Sequence, residues 1–307
     1  MKKEKVVVIG SGPAGLTAAL YTARARLEPL VISGTQLGGQ ISITNEVENY
    51  PGFPEGTTGP ELVELMRKQA EVFGARVAID EVTKVDFTQG SPFTIEAHSE
   101  TYEAEAVIVT AGASPKRLGI PGEEEFIGRG VSFCATCDGF FFREKDVVVV
   151  GGGDSAMEES IFLTRFADQV KVVHRRDELR AGEALKRRAF SNEKLDFVWD
   201  TVIEEIVGNG QVQAIRTRNV KTGDAEERET DGVFIFIGHY PNTSLFKGQL
   251  DMDDVDYLTV DDKRMTSVPG VFAAGEIMDP VFRQIATSVG QGTAAAMMTE
   301  RWLEEHD

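Results

Sequence analysis

The chain has 307 residues, 41% of them hydrophobic, with 31 glycines and 2 cysteines, and its 32 basic and 50 acidic side chains leave a formal charge of −18. That length allows about two domains, each with its own core, and the balance excludes a disordered, collagen-like or disulfide-stapled chain. So negative a protein repels nucleic acid and anionic membranes, so any anionic ligand needs a local basic patch.

The N-terminal MKKEKVVVIGSGPAGL sets basic residues before an apolar run. The run is too short for a secretion signal and enters a glycine turn without a small-residue cleavage site. No stretch approaches the roughly 18 apolar residues of a membrane span, and the chain reads as cytoplasmic. Residues 6–20, VVVIGSGPAGLTAAL, predict a buried parallel strand, a glycine turn and a helix. In Gly10-Ser11-Gly12-Pro13-Ala14-Gly15 the first glycine permits the tight turn and the second lets backbone approach a pyrophosphate. The third lets the helix pack on the strand with its N-terminus toward the phosphates. The acid that often closes the next strand on a ribose is missing, because Leu30-Val31-Ile32 runs into Ser33-Gly34. A further apolar strand, AVIVTAGASP at 106–115, ends in glycine and then proline.

Both cysteines lie in Cys134-Ala135-Thr136-Cys137, followed by Asp138-Gly139. Such a pair can close a small disulfide ring, opened by a thiolate that a helix terminus or cation stabilises. Zinc competes for this spacing but needs four ligands, and there is no second CxxC, while His98, His174, His239 and His306 are scattered. A buried, inert pair is the other reading. Exclusive placement of both thiols beside an acid favours redox chemistry, with Asp138 as proton donor and acceptor.

The pattern then repeats. Residues 147–161, VVVVGGGDSAMEESI, give a second strand, turn and helix around Gly151-Gly152-Gly153-Asp154-Ser155-Ala156. The next strand, Lys171-Val172-Val173, ends in His174-Arg175-Arg176, with Arg180 a helical turn on. Arginine where an acid would grip a free 2′-hydroxyl favours a 2′-phosphate. Between 171 and 188 seven basic residues face three acids; Lys186, Arg187 and Arg188 read as a solvated helix face, and Arg175, Arg176 and Arg180 as the phosphate site. GVFIFIGHYP at 232–241 closes this unit as AVIVTAGASP closes the first.

The last strand, in VPGVFAAGE at 268–276, precedes a helix rich in small residues and has no third glycine fingerprint. It therefore completes the first unit, which makes the second an insertion. The fold class is α/β, two Rossmann-like dinucleotide-binding domains, one set into the other. Turn-forming residues mark crossings near Gly119-Ile120-Pro121-Gly122 and Asn242 to Gln249. The expected bounds are 1–116 with 244–307, and 117–243.

GSGPAG, GGQ at 38–40, EVENYPGFP at 46–54, CATCDG at 134–139, GGGDSA, HRRDELR at 174–180 and GVFAAGEIMDPVFRQ at 270–284 occur in this order. Over nearly its whole length the sequence resembles bacterial-type, low-molecular-weight thioredoxin reductases. CATCDG between two nucleotide fingerprints carries most of that specificity.

The resemblance implies an FAD domain built from both chain ends and an inserted NADPH domain with the redox disulfide. FAD would lie on Gly10 to Gly15 and on Ser33, Gly34, Thr35, Gln36, Leu37, Gly38, Gly39 and Gln40. It would also touch Asn49, Val82, Gly112, Gly275, Glu276, Arg283, Gln284, Ile285 and Ala286. The 33–40 stretch accounts for the missing ribose acid, which this family commonly lacks. NADPH would lie on Gly153, Asp154, Ser155 and Ala156 and on His174, Arg175, Arg176 and Arg180. The catalytic set would be Cys134, Cys137 and Asp138, with no metal. Where the family usually has Asp after Ala-Ala-Gly, this chain has Glu276, whose longer side chain must fold back to fit.

The implied activity passes electrons from NADPH through flavin and disulfide to thioredoxin or a thioredoxin-like protein, in a cytoplasmic homodimer with no nucleic-acid or membrane partner. One inserted domain would carry both nicotinamide and disulfide, so it would rotate to present each in turn. The alternatives are a related flavin disulfide oxidoreductase with another donor or acceptor, and a flavin redox sensor without turnover.

Overall fold

The computed structural model describes residues 1–44 and 46–306. In chain order the first segment runs β1 (Lys2–Ile9), α1 (Pro13–Arg24), β2 (Leu30–Ile32), α2 (Gly59–Val72), β3 (Arg76–Ala78), β4 (Val82–Asp86), β5 (Phe93–Ala97), β6 (Thr101–Val109) and β7 (Ala113–Pro115). The middle holds β8 (Val131–Ser132), α3 (Ala135–Asp138), β9 (Asp146–Val150), α4 (Asp154–Leu163), β10 (Gln169–Val173), α5 (Glu183–Phe190), β11 (Leu195–Val198), β12 (Thr201–Gly208), β13 (Val212–Asn219), β14 (Ala225–Glu229) and β15 (Gly232–Ile235). The chain ends with β16 (His239–Pro241), β17 (Val271–Ala273) and α6 (Ile285–His306). It divides into two compact units, Met1–Ser114 with Tyr240–Asp307, and Pro115–His239.

In the first unit β1 is the centre of a sheet ordered β3-β2-β1-β6-β5-β4. Its Val6, Val7, Val8 and Ile9 are buried, as an apolar β-branched run flanked by parallel strands requires. β6 divides one edge between two partners. Its start pairs antiparallel with β5, Phe93 opposite Ala104, and its end pairs parallel with β17, Val107 opposite Val271. The C-terminal segment thereby enters the sheet begun by the N-terminal one. Small residues explain how α6 approaches α1: a Cβ on Gly292 would stand 2.3 Å from the Ala14 carbonyl oxygen.

The second unit repeats the parallel arrangement in a sheet ordered β11-β10-β9-β15-β8. Val147 to Val149 of β9 are buried among Phe234, Val170 and Val172 or on the sheet's other face. A three-stranded antiparallel sheet, β12-β13-β14, is inserted between β11 and β15 of the parallel one. The sequence reading did not pick it out, since it carries no glycine fingerprint.

The two crossings, β7 and β16, pair with each other. The Lys116 N–H donates to the Gly238 carbonyl at 2.9 Å, and the Asn242 N–H donates to that of Gly112 at 3.0 Å. Residues 119–122 belong to the second unit: the Ile206 N–H donates to the Pro121 carbonyl at 3.0 Å, and Gly122 takes φ 82° against Ile206. Residues 242–249 belong to the first. Phe246 is buried there, and the Gln249 amide bonds the backbone of Val85 and Phe87 at 2.9 and 2.8 Å. Among the described residues no helix is long and apolar enough to cross a membrane.

Candidate redox and dinucleotide sites

In the first unit, β1 delivers the chain to a turn that two of its glycines make possible. Gly10 has φ 109°, and a Cβ there would stand 2.4 Å from the Thr110 carbonyl oxygen; one on Gly15 would stand 2.0 Å from that of Gly10. Gly12 differs. A Cβ there would find nothing nearer than the Gly38 oxygen at 3.9 Å, and Gly12 caps α1 without any side-chain hydrogen bond. Open space at an uncapped helix N-terminus suits a pyrophosphate, and Pro13 at the first helical position is preset for the helix.

Ser11 ties this turn to the 33–40 loop. Its hydroxyl donates to the Ser33 carbonyl and accepts the Gly38 N–H, both at 3.0 Å. Gly38 and Gly39 take φ 89° and 59°, the Gly39 N–H returns to the Gln36 carbonyl at 3.2 Å, and Leu37 packs with Leu16, Ile41 and Ile285. Thr35 and Gln40 are exposed, and the Gly34 N–H is held by the Asp80 carbonyl at 2.9 Å. Two expected residues far apart in sequence meet: Asn49 Nδ2 donates to Gln284 Oε1 at 3.3 Å. Gly275 stands against α1, where its Cβ would lie 3.0 Å from that of Ala14. Val82 opens β4 and, like Ala111 beside Gly112, packs on the sheet core.

Two residues the sequence reading missed, Thr110 and Gln291, hold this cradle together with Asp279 of the expected 276–286 segment. Thr110 Oγ1 donates to the carbonyls of Ile9 and Gly10, both at 3.0 Å. Gln291 accepts the Gly275 N–H at 2.9 Å and donates to Asp279 Oδ2 at 2.7 Å, while Asp279 Oδ1 accepts the N–H groups of Val281 and Phe282. The small-residue helix gave no hint that Gln291 faces inward. Glu276 follows β17, and burial pushes its carboxyl up to about 7; nearby Arg283 opposes that rise and Asp279 adds to it. Arg283 takes φ 48° just before α6, whose first residues are Ile285 and Ala286.

In the second unit Cys134 and Cys137 are bonded, with Cα atoms 5.3 Å apart, across the turn that α3 makes. Cys134 Sγ accepts the Cys137 N–H at 3.2 Å, and the Ser132 hydroxyl accepts that of Cys134 at 3.1 Å. The Ala135 N–H donates to Glu159 Oε2 at 3.1 Å, a tie to α4 that the sequence did not advertise. Cys134 is half-buried and Cys137 exposed. Burial raises the Asp138 carboxyl above its ordinary value, against an opposing hydrogen bond from Ser132. A carboxyl so raised keeps more of the protonated form needed to give a proton to a leaving thiolate.

Gly153 caps α4 without a side-chain hydrogen bond, and nothing lies within 4 Å of where its Cβ would be. Ala156 is buried and Ser155 exposed, while Asp154 Oδ1 accepts the Gly182 N–H at 2.7 Å and so fastens the start of α5. At the end of β10, His174 is buried and its Nε2 has no hydrogen-bond partner. Burial lowers its pKa, a backbone hydrogen bond to Glu178 opposes that, and Arg180, Arg176 and Arg175 lower it further. All three guanidiniums therefore stand near one neutral, buried imidazole. They line a recess of about 470 Å³ together with Asp177, Asp200 and Lys221.

Residues 4–292 match the family described as Pyridine nucleotide-disulphide oxidoreductase. The chain is 52% identical over 303 residues to a thioredoxin reductase of Mycolicibacterium smegmatis, covering 98% of this chain and 97% of that one. It is 50% identical to a bifunctional thioredoxin reductase/thioredoxin of Mycobacterium leprae, covering 98% of this chain and 66% of that one. Among solved structures, thioredoxin reductase from Streptococcus pyogenes superposes with a TM-score of 0.94 at 44% identity over 99% of each chain.

Proposed function

The chain belongs to the pyridine nucleotide-disulphide oxidoreductase family, as a thioredoxin reductase of the bacterial low-molecular-weight type, and from that premise we propose which residues do its work. It passes electrons from NADPH through FAD and the Cys134–Cys137 disulfide to thioredoxin. FAD, when bound, supplies a relay between a hydride donor and a disulfide.

In this reading the first unit holds FAD. Gly12 and the free N–H groups of α1 receive the pyrophosphate, the loop from Ser33 to Gln40 receives the adenosine side, and Asn49, Glu276 and Gln284 orient the remainder. The second unit holds NADPH, with Gly153 and the start of α4 at the pyrophosphate and His174, Arg175, Arg176 and Arg180 at the 2′-phosphate. The open cradle at Gly12 and the orphaned Nε2 of His174 are what support the fit of the two groups.

Cys134 and Cys137 accept an electron pair as their bond opens, and Asp138 gives its proton to the thiolate that leaves. The resulting thiol and thiolate pair then reduces a thioredoxin disulfide by exchange. Since the thiol pair and the NADPH residues share one unit while the FAD residues lie in the other, access to the flavin must alternate. The paired strands β7 and β16, with Gly112 at φ 67° and Gly238 at φ 105°, are the proposed hinge. Assembly as a homodimer and a cytoplasmic location, where thioredoxin stays reduced, complete the proposal.

The observation that carries it is a bonded CxxC pair in the same unit as a glycine turn packed on His174 and a recess lined by three arginines. An anaerobic NADPH titration tests it. The FAD-loaded protein takes up one electron pair at the flavin and another at the thiols, and Cys134→Ser with Cys137→Ser removes the second uptake.

A further inference from the structure

The arginines at the end of β10 have acids for neighbours, and lysines hold those acids. Asp177 Oδ2 accepts from Lys221 Nζ at 2.7 Å, Asp200 Oδ2 lies 3.1 Å from the same ammonium, and Glu178 Oε1 accepts from Lys186 Nζ at 3.2 Å. Among the described residues the side chains of Arg175, Arg176 and Arg180 make no hydrogen bond or ion pair. Some arginines elsewhere are taken up by carboxylates, as Arg67 is by Glu64 and Glu71 and Arg216 by Glu205 and Glu227.

Lys221 comes from another element, the turn between β13 and β14, and the backbone sets it in place. Asn219 Oδ1 accepts the N–H groups of Lys221 and Thr222 at 2.9 and 3.0 Å, closing the turn. The Val220 N–H donates to the Asp200 carbonyl at 2.6 Å, and the Asp200 N–H donates to that of Arg176 at 3.2 Å. Asp200 takes φ 51° to make both bonds. The hairpin is thus fastened to the loop that carries the arginines.

We propose that Lys221 is a positioning residue for nucleotide choice, which holds Asp177 and Asp200 and so leaves Arg175 and Arg176 free to receive the 2′-phosphate of NADPH. The inference rests on the reading of this recess as the 2′-phosphate site. A guanidinium already paired with a carboxylate must give up that partner to bind a phosphate, and the exchange weakens binding. The titration of the pair agrees: the Lys221 hydrogen bond holds the Asp177 carboxyl below its ordinary value, and Asp177, then Asp200, raises Lys221.

The test is calorimetric titration of the FAD-loaded protein with 2′,5′-ADP and with 5′-AMP, which differ in the 2′-phosphate. Arg176→Ala tests the site itself and should weaken 2′,5′-ADP alone. Lys221→Gln should weaken 2′,5′-ADP about tenfold and leave 5′-AMP within about twofold. Adding Asp177→Asn to Lys221→Gln should restore most of the loss, because the freed carboxylate is what competes. Unchanged 2′,5′-ADP affinity in Lys221→Gln overturns the proposal, and so does equal weakening of both ligands, which marks a structural role. A loss that persists in the double variant also overturns it, since Lys221 then touches the phosphate itself. If Arg176→Ala binds 2′,5′-ADP as the parent does, the site reading fails and takes this inference with it.

Discussion

Gly152 lies flat against the imidazole of His174: a Cβ on Gly152 would stand 2.3 Å from the ring's Cε1, and the Gly152 carbonyl accepts the Arg180 N–H at 2.7 Å. One glycine couples the second fingerprint to two residues of HRRDELR. Gly152→Ala must therefore displace the ring, which precedes the arginines of the proposed 2′-phosphate recess. Steady-state kinetics should show KM for NADPH raised about tenfold with kcat and FAD content little changed, the pattern of lost binding. An unchanged KM would mean that His174 does not face the nucleotide.

In the proposed site, nucleotide choice rests on the unpaired guanidiniums. Each charge-assisted contact to the 2′-phosphate contributes about 1.5 to 3 kcal/mol, so two give well over tenfold preference for NADPH over NADH. Replacing Arg175 and Arg176 by Ala should bring the two kcat/KM values together, chiefly by lowering that for NADPH. A variant that keeps its preference would remove both arginines from the site.

How far the sequence foretold this depends on the kind of signal. The strand-turn-helix units at Gly10 and Gly151 were legible because buried parallel strands are apolar runs and the turns need glycine. The CxxC pair was legible because no other cysteine exists in the chain. What stayed hidden acts through geometry rather than motif. Gln291 is one polar side chain on a small-residue helix, Thr110 is one hydroxyl after a strand, and Lys221 is one lysine on a hairpin with no fingerprint. The crossings at β7 and β16 lie a few residues from the turn residues that marked them in the sequence. Gly122 and Gly119 read as linker glycines, yet Gly122 takes its positive φ to pack beneath Ile206.

The cysteines separate the two half-reactions. With either Cys134 or Cys137 replaced by Ser, anaerobic NADPH should still bleach the flavin while thioredoxin reduction is lost, because hydride transfer does not pass through sulfur. Asp138→Asn should slow the thiol step about a hundredfold, as expected for loss of a general acid, and leave bleaching by NADPH unchanged. Equal slowing of both steps in stopped-flow absorbance would assign Asp138 a structural role.

Glu276 makes a prediction about pH. Its carboxyl titrates near 7 in the folded chain against an ordinary 4.5, so the folded state holds a proton that the unfolded state has lost. The stability this contributes is fully present below the unfolded value and is lost as pH rises through about 7, a swing on the order of 3 kcal/mol. In flavin-free protein, Tm should fall from pH 5 to pH 8 more steeply for the parent than for Glu276→Gln. Parallel curves would show that Glu276 is already ionised in the fold.

Electrons reach thioredoxin through Cys134 and Cys137, and catalytic turnover measures that transfer. NADPH oxidation is followed at 340 nm with a trace of FAD-loaded protein and an excess of disulfide thioredoxin. The parent should consume NADPH until thioredoxin is reduced, and the variant with both cysteines replaced by Ser should consume none beyond the flavin's own equivalent. A parent that stops after one stoichiometric reduction, or a double Ser variant that still turns over thioredoxin, would contradict it.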